Sequence, residues 1–155
     1  EGIPFRGSID RIDVDEKSNA VILDYKSSSG QTQNYSAWYE KDQLQLMIYS
    51  YLVERGLTEV NHLNVVGMGY FVAKNCERNK GLWCNEGDGK LFSINSRSRN
   101  SMPKSELVAL WDSYKKRVHE LVSEIKSGNF RAEPKDKKEC IKCSWRKICR
   151  ASHLN

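Results

Sequence analysis

No run of apolar residues in this 155-residue chain approaches the ~20 that a bilayer crossing requires, which excludes a membrane-spanning helix. An opening methionine and a signal-peptide pattern are also missing. The chain begins Glu1-Gly2-Ile3-Pro4, already strand-like, which reads as a fragment cut from a larger protein. Internal repeats and low-complexity tracts are absent. The five cysteines lack the paired spacing of a secreted disulfide framework, and three of them, Cys140, Cys143 and Cys149, crowd into the tail. That pattern favours a reducing, cytoplasmic setting and a metal or cluster site. Histidine is scarce, and His62, His119 and His153 are scattered; each reads as a surface or packing residue rather than a ligand.

What remains is one domain over residues 1–155, long enough for a real core, with a cysteine-bearing tail at 130–155. Hydrophobic residues make up 39% and charged residues 29%, ordinary for a globular chain. The net charge of +5 is compatible with a polyanionic partner without establishing one.

Residues 3–14 read as a strand, 15–19 as a polar turn and 20–26 as a second strand, together a hairpin. Helical composition at 37–55 ends at Gly56; strands follow at 63–74 and 90–95, separated by a turn-rich, protruding segment at 75–89. Helix 103–127 carries Leu107, Leu110, Trp111, Tyr114, Val118, Leu121, Val122 and Ile125 on one stripe, with Pro103 in its first turn and Gly128 at its end. This order predicts an α/β fold, a sheet flanked by helices.

The stretch VILDYKSSSGQ places an acid and an amine inside an apolar strand. Alternation puts Ala20, Ile22, Asp24 and Lys26 on one face and Val21, Leu23 and Tyr25 on the other. Counting outward from Lys17 across the turn sets Asp10 opposite Asp24, ~5 Å away across the ladder, where two carboxylates repel unless a cation lies between them. Oxygen donors select Mg²⁺ or Mn²⁺. Lys26 on the same face could orient a water or stabilise charge on a phosphate, which is equipment for phosphodiester hydrolysis. An Asp–Lys salt bridge on a wet sheet face accounts for the same spacing. Asp13 faces the other way and reads as structural, pairing with Arg11 or Arg6.

GSID at 7–10, followed fourteen residues later by DYK at 24–26, resembles motifs II and III of the PD-(D/E)XK nuclease superfamily. LDYKSS is similar to the RecB and AddB branch, which also carries a Gln-x-x-x-Tyr motif on the next helix; Gln45 and Tyr49 fit it. The resemblance implies a restriction-endonuclease-like core with a central mixed β-sheet flanked by helices. In that core Asp10, Asp24 and the Tyr25 carbonyl hold Mg²⁺ or Mn²⁺ and Lys26 is catalytic, while Gln45 and Tyr49 reach the catalytic strand and the DNA over it. It further implies a DNA exonuclease of recombination and repair, partnered by the rest of a parent polypeptide and a helicase subunit. One departure stands out: the histidine or acid that the family often places on a helix before motif II has no counterpart here.

The tail, CIKCSWRKIC, spaces its thiols Cys-x2-Cys-x5-Cys, which can wrap zinc or an iron–sulfur cluster once a fourth ligand is supplied. The resemblance implies a [4Fe-4S] site on Cys140, Cys143 and Cys149, incomplete because its first cysteine would lie upstream of motif II. Cys76 and Cys84, both read as loop residues, are possible substitutes, and three reduced thiols in a terminal turn are the plain alternative. Arg146, Lys147 and Arg150 would touch phosphate or solvate the chain end. Two other functional classes stay open: a catalytically silent DNA-binding or structural module of the same fold, and a zinc-ribbon interaction domain.

Overall fold

Asp15 nucleates the turn that fixes the first hairpin. Its carboxylate accepts from the main-chain N–H of Lys17 at 2.9 Å and of Asn19 at 2.8 Å, while Ser18 takes a left-handed φ of 60°. The bonds from Asn19 hold the Asp15 carboxyl below its ordinary pKa. Strand β1 (Arg11–Val14) then pairs antiparallel with β2 (Asn19–Lys26) in the expected register, Ile12 against Ile22 and Arg11 against Leu23. The computed structural model describes residues 3–60, 62–78, 80–85, 100–134 and 136–149, and the chain divides into two units, 1–115 and 116–155.

In the first unit, helix α1 (Gln45–Glu54) makes the crossover that lets β3 (Asn64–Val72) run parallel to β2. Strand β4 (Gly81–Cys84) returns antiparallel to β3, and β5 (Ser101–Met102) lies parallel to β4, giving a mixed sheet in the order β1-β2-β3-β4-β5. The expected α/β architecture with helices flanking a mixed sheet is therefore present. Ile22, Met68 and Leu82 share one face of the three central strands, and Leu46, Met47 and Val53 of α1 belong to the same buried core. The start of helix α2 (Lys104–Lys126) adds Leu107, Trp111 and Tyr114. Burying each large apolar side chain contributes roughly 1.5–3 kcal/mol, and these side chains form one continuous cluster. The polar groups inside are matched: the Trp111 indole donates to Ser50 Oγ at 2.8 Å, and Ser50 donates to the Met47 carbonyl at 2.9 Å.

Several boundaries differ from the sequence expectation, each for a local reason. Of residues 3–14 only Arg11–Val14 pairs with β2, because the chain bends at Asp10 and leaves the ladder. The helix expected over 37–55 begins at Gln45: a single 3-10 turn at Tyr35–Ala37 is followed by Asp42 at φ 49°, which breaks helical geometry. Part of the segment read as a protruding loop is β4, whose four residues are all buried, so Cys84 is a sheet residue. That close packing needs glycine at 81, since a Cβ there would come within 2.5 Å of the Met68 carbonyl oxygen. The strand expected at 90–95 lies outside the described residues.

In the second unit α2 continues to Lys126 and ends as the sequence suggests. Gly128 adopts φ 70°, and Asn129 donates back to the Glu124 carbonyl at 2.9 Å. Its apolar stripe is unevenly covered, with Val118 buried and Ile125 58% exposed. Helix α3 (Glu139–Lys142) is a single turn carrying Cys140. None of the helices among the described residues is long and apolar enough to cross a membrane.

Candidate active site

The C-terminal end of β2 carries Asp24 and Lys26. Asp24 is only 3% exposed, although a carboxylate so placed costs several kcal/mol unless it is compensated. Its neighbour on the same face supplies the compensation: Lys26 Nζ lies 2.5 Å from Asp24 Oδ2. The contact is ionic rather than a well-formed hydrogen bond, for Oδ2 is shielded from solvent and, among the described residues, meets no donor at hydrogen-bonding angles. The salt bridge foreseen on a wet face therefore exists, but the acid in it is buried.

The parallel pairing with β3 sets Tyr70 directly beside Asp24. The Lys26 ammonium stands 5.8 Å from the centroid of the Tyr70 ring, and Trp38 meets the same ring edge-on at 5.8 Å. Burial, reinforced by the Asp24 charge, pushes the Tyr70 phenol up to about 12, so it stays a neutral O–H at any physiological pH. Beyond Lys26, Gln31 closes the turn by accepting from Ser27 through its N–H at 3.1 Å and its hydroxyl at 2.8 Å. Lys80 reaches across to the carbonyls of Ser29 and Thr32 at 3.3 and 3.4 Å.

Asp10 sits at the bend just before β1, exposed, and its Oδ2 accepts the Tyr25 main-chain N–H at 2.8 Å. That amide belongs to the peptide joining Asp24 to Tyr25, so motif II closes directly onto motif III. The side chain here takes a donor that a longer β1 would have bonded with its backbone. The two acids are thus not a cross-strand pair; they meet at one peptide instead. The Tyr25 side chain points to the opposite face.

Gln45 and Tyr49 line a groove of about 880 Å³ with Phe5, Arg6, Gly7 and Ser8. Tyr49 abuts the start of motif II: a Cβ on Gly7 would fall 2.8 Å from its hydroxyl. The pair therefore borders the segment that leads into Asp10. Asp13 pairs with Arg11, at 2.5 Å, on the other face of the hairpin. His62 and His119 are exposed.

The tail cysteines belong to the second unit. Cys143 donates its N–H to the Cys140 carbonyl at 3.4 Å, and Cys149 donates to the Trp145 carbonyl at 2.9 Å. Among the described residues no three His, Cys, Asp or Glu side chains come close enough to share a metal ion. Cys76 is exposed in the turn after β3, whereas Cys84 is buried in β4.

Sequence reasoning missed Tyr70, Trp38 and Gln31. The period-2 pattern of β3 places Tyr70 on the same face as Met68 and Val72, but which residue of β2 it would meet depends on a parallel register that no short turn encodes.

Searches of curated proteins and of solved structures returned no match. A family model for the PD-(D/E)XK nuclease superfamily matches residues 1–150, nearly the whole chain. With a mixed sheet whose second strand ends in Asp-Tyr-Lys and an acid from the bend just before the first strand closing on it, this chain belongs to the PD-(D/E)XK nuclease superfamily.

Proposed function

We propose that this chain is a metal-dependent deoxyribonuclease module, an exonuclease of the RecB/AddB kind, acting in the cytoplasm beside a helicase in DNA recombination and repair. The observation that carries the reading is the treatment of Asp24. A buried carboxylate whose Oδ2, among the described residues, meets only a lysine charge, with a second carboxylate bonded to the adjoining peptide, is a poor structural solution and a good cation seat. Nucleases of this superfamily typically use Mg²⁺ or Mn²⁺, and the donor chemistry here fits: Asp10, Asp24 and the Tyr25 carbonyl are all hard oxygen donors. When bound, such an ion neutralises phosphate charge and acidifies water.

The chain's own residues do the rest. Lys26, released from Asp24 and steadied over the Tyr70 ring, places its ammonium against a non-bridging phosphate oxygen and stabilises the charge that grows there. Gln31 keeps the turn after Lys26 from swinging away. Gln45 and Tyr49, beside Gly7 and Ser8, guide the DNA strand toward the site. The Cys-x2-Cys-x5-Cys spacing of Cys140, Cys143 and Cys149 supports a role as three thiolates of a [4Fe-4S] cluster, although these side chains do not converge among the described residues and would have to be drawn together by the cluster and a fourth ligand.

The test is cleavage of single- and double-stranded DNA with Mg²⁺, beside Mn²⁺ titration by calorimetry. Cleavage that Asp24→Ala abolishes together with ion binding is the expected result. Ion binding that survives Asp24→Ala would overturn the assignment. A second reading, a catalytically silent DNA-binding module, is favoured by the Lys26 charge already seated on Asp24. It predicts DNA binding without cleavage at any divalent-ion concentration.

A further inference from the structure

On the sheet face opposite Asp24 and Lys26, the sequence left Asp13 as a structural acid, and the structure makes it a hub. Its Oδ1 lies 2.5 Å from Arg11 Nε, and its Oδ2 lies 3.7 Å from Arg78 Nη1. One carboxylate thus holds two guanidiniums side by side. The local sum is one excess positive charge, and each guanidinium carries five N–H donors in a fixed fork, more than a shared carboxylate can take up. Bonding to Asp13 first and to the Tyr25 hydroxyl second keeps Arg11 firmly protonated.

Two aromatic rings adjoin the pair. Tyr25 and Phe71 are cross-strand partners whose rings meet edge to face at 5.4 Å, and the Arg78 guanidinium stands 5.9 Å from the Phe71 ring. Tyr25 is 46% exposed, so this is an accessible surface and not a core cluster. Clustered guanidiniums beside an exposed tyrosine and a half-buried phenylalanine have the composition that binds a nucleic-acid strand, cations for phosphate and rings for bases. Tyr25 also lies between Asp24 and Lys26 in the chain, so the patch begins one residue from the proposed catalytic face, on the other side of the same strand end.

We propose that Arg11, Arg78, Tyr25 and Phe71 form a second DNA-contacting surface that grips a flanking single-stranded segment of the substrate, with Asp13 holding both guanidiniums in place. This rests on the reading of DNA as substrate. A strand crossing the end of β2 meets the catalytic pair on one side and this patch on the other. The surface contributes affinity and does no chemistry.

The experiment measures binding of a fluorescein-labelled single-stranded oligonucleotide by anisotropy, without divalent ions so that nothing is cut, and then KM and kcat with Mg²⁺. Arg78→Glu should weaken binding by roughly tenfold or more at low salt, and Arg78→Ala should reduce the salt slope by about 0.7, one phosphate contact on a single strand. Arg78→Lys should recover most of the affinity, and Phe71→Leu should weaken binding with little change in slope. KM should rise in Arg78→Glu, Arg78→Ala and Phe71→Leu and stay near the parent value in Arg78→Lys, while kcat holds in all four, with thermal melts confirming the fold. Unchanged affinity in Arg78→Glu overturns the proposal, as does a parent chain that binds no oligonucleotide. A parent that binds with this arginine dependence yet never cleaves upholds the surface and sinks the catalytic reading.

Discussion

Two acid–lysine pairs in the first unit look alike in a list of contacts and differ in kind. Glu54 Oε2 accepts the Val65 main-chain N–H at 2.6 Å and the Lys104 ammonium at 2.9 Å. Lys104 spends its other protons on the Asn64 side chain at 3.0 Å and the Val65 carbonyl at 2.5 Å, with the Trp111 ring 5.0 Å away. This lysine joins the end of α1, the start of β3 and the start of α2, a rivet with its donors engaged. Asp24 and Lys26 are closer still, at 2.5 Å, with the acid more deeply buried, yet among the described residues Asp24 Oδ2 meets no well-aligned donor. A structural pair is finished by hydrogen bonds, whereas a pair left electrostatically matched but geometrically incomplete has room for a different partner.

The sharpest way to break that contrast is to remove both lysines in parallel. Lys26→Met should lower single-turnover DNA cleavage by roughly 10²–10⁴-fold, as expected for loss of a positioned charge at the reacting phosphate. Lys104→Met should leave kcat within a small factor wherever the chain is folded. Equal losses from the two would erase the distinction.

Metal linkage comes next. In Lys26→Met the Asp24 carboxylate loses its counter-charge, so the ion-free chain should melt earlier than the parent, and Mn²⁺ should recover more of its stability than it adds to the parent. At ~100 times its dissociation constant a ligand contributes about 2.7 kcal/mol. A melting temperature in Lys26→Met that ignores Mn²⁺ would contradict a cation seat at Asp24.

Urea unfolding of Lys104→Met should show a loss of about 2 kcal/mol, because the Val65 carbonyl and the Glu54 carboxylate are left without their charged donor. No measurable loss would mean that the rivet is decorative.

The smallest effect concerns Tyr70, whose pKa is raised from 10.0 to about 12. Between those values the unfolded chain has released the phenolic proton and the folded chain still holds it, so stability is intact below pH ~10 and falls as pH rises toward 12. Tyr70→Phe should flatten that alkaline loss by on the order of 1–2 kcal/mol while changing little at neutral pH. An unchanged alkaline profile would show that the ring is not buried beside Asp24.

How much of this was legible in the sequence depended on how local its cause was. The hairpin register could be counted because a short turn centred on Lys17 fixes it, and Arg11 against Leu23 continues that count. The acid and lysine of β2 stood out because charges interrupt an apolar run. The start of α1 was hidden by Asp42, a residue that composition would admit to a helix but whose backbone turns left-handed. Strand β4 was hidden because Gly81-Leu-Trp-Cys84 is short and lies among turn formers. Tyr70 was out of reach for a deeper reason, since its place beside Asp24 follows from the parallel alignment of β2 and β3 across an intervening helix.

Among the described residues strand β1 is one of the two edges of the sheet, only four residues long, with Arg11 and Asp13 two apart along it. A short rim studded with charges makes a poor template for another molecule's backbone, and the bend at Asp10 ends it before it can lengthen. The aspartate that serves the proposed chemistry therefore also helps to keep copies of this chain from zipping together along that border.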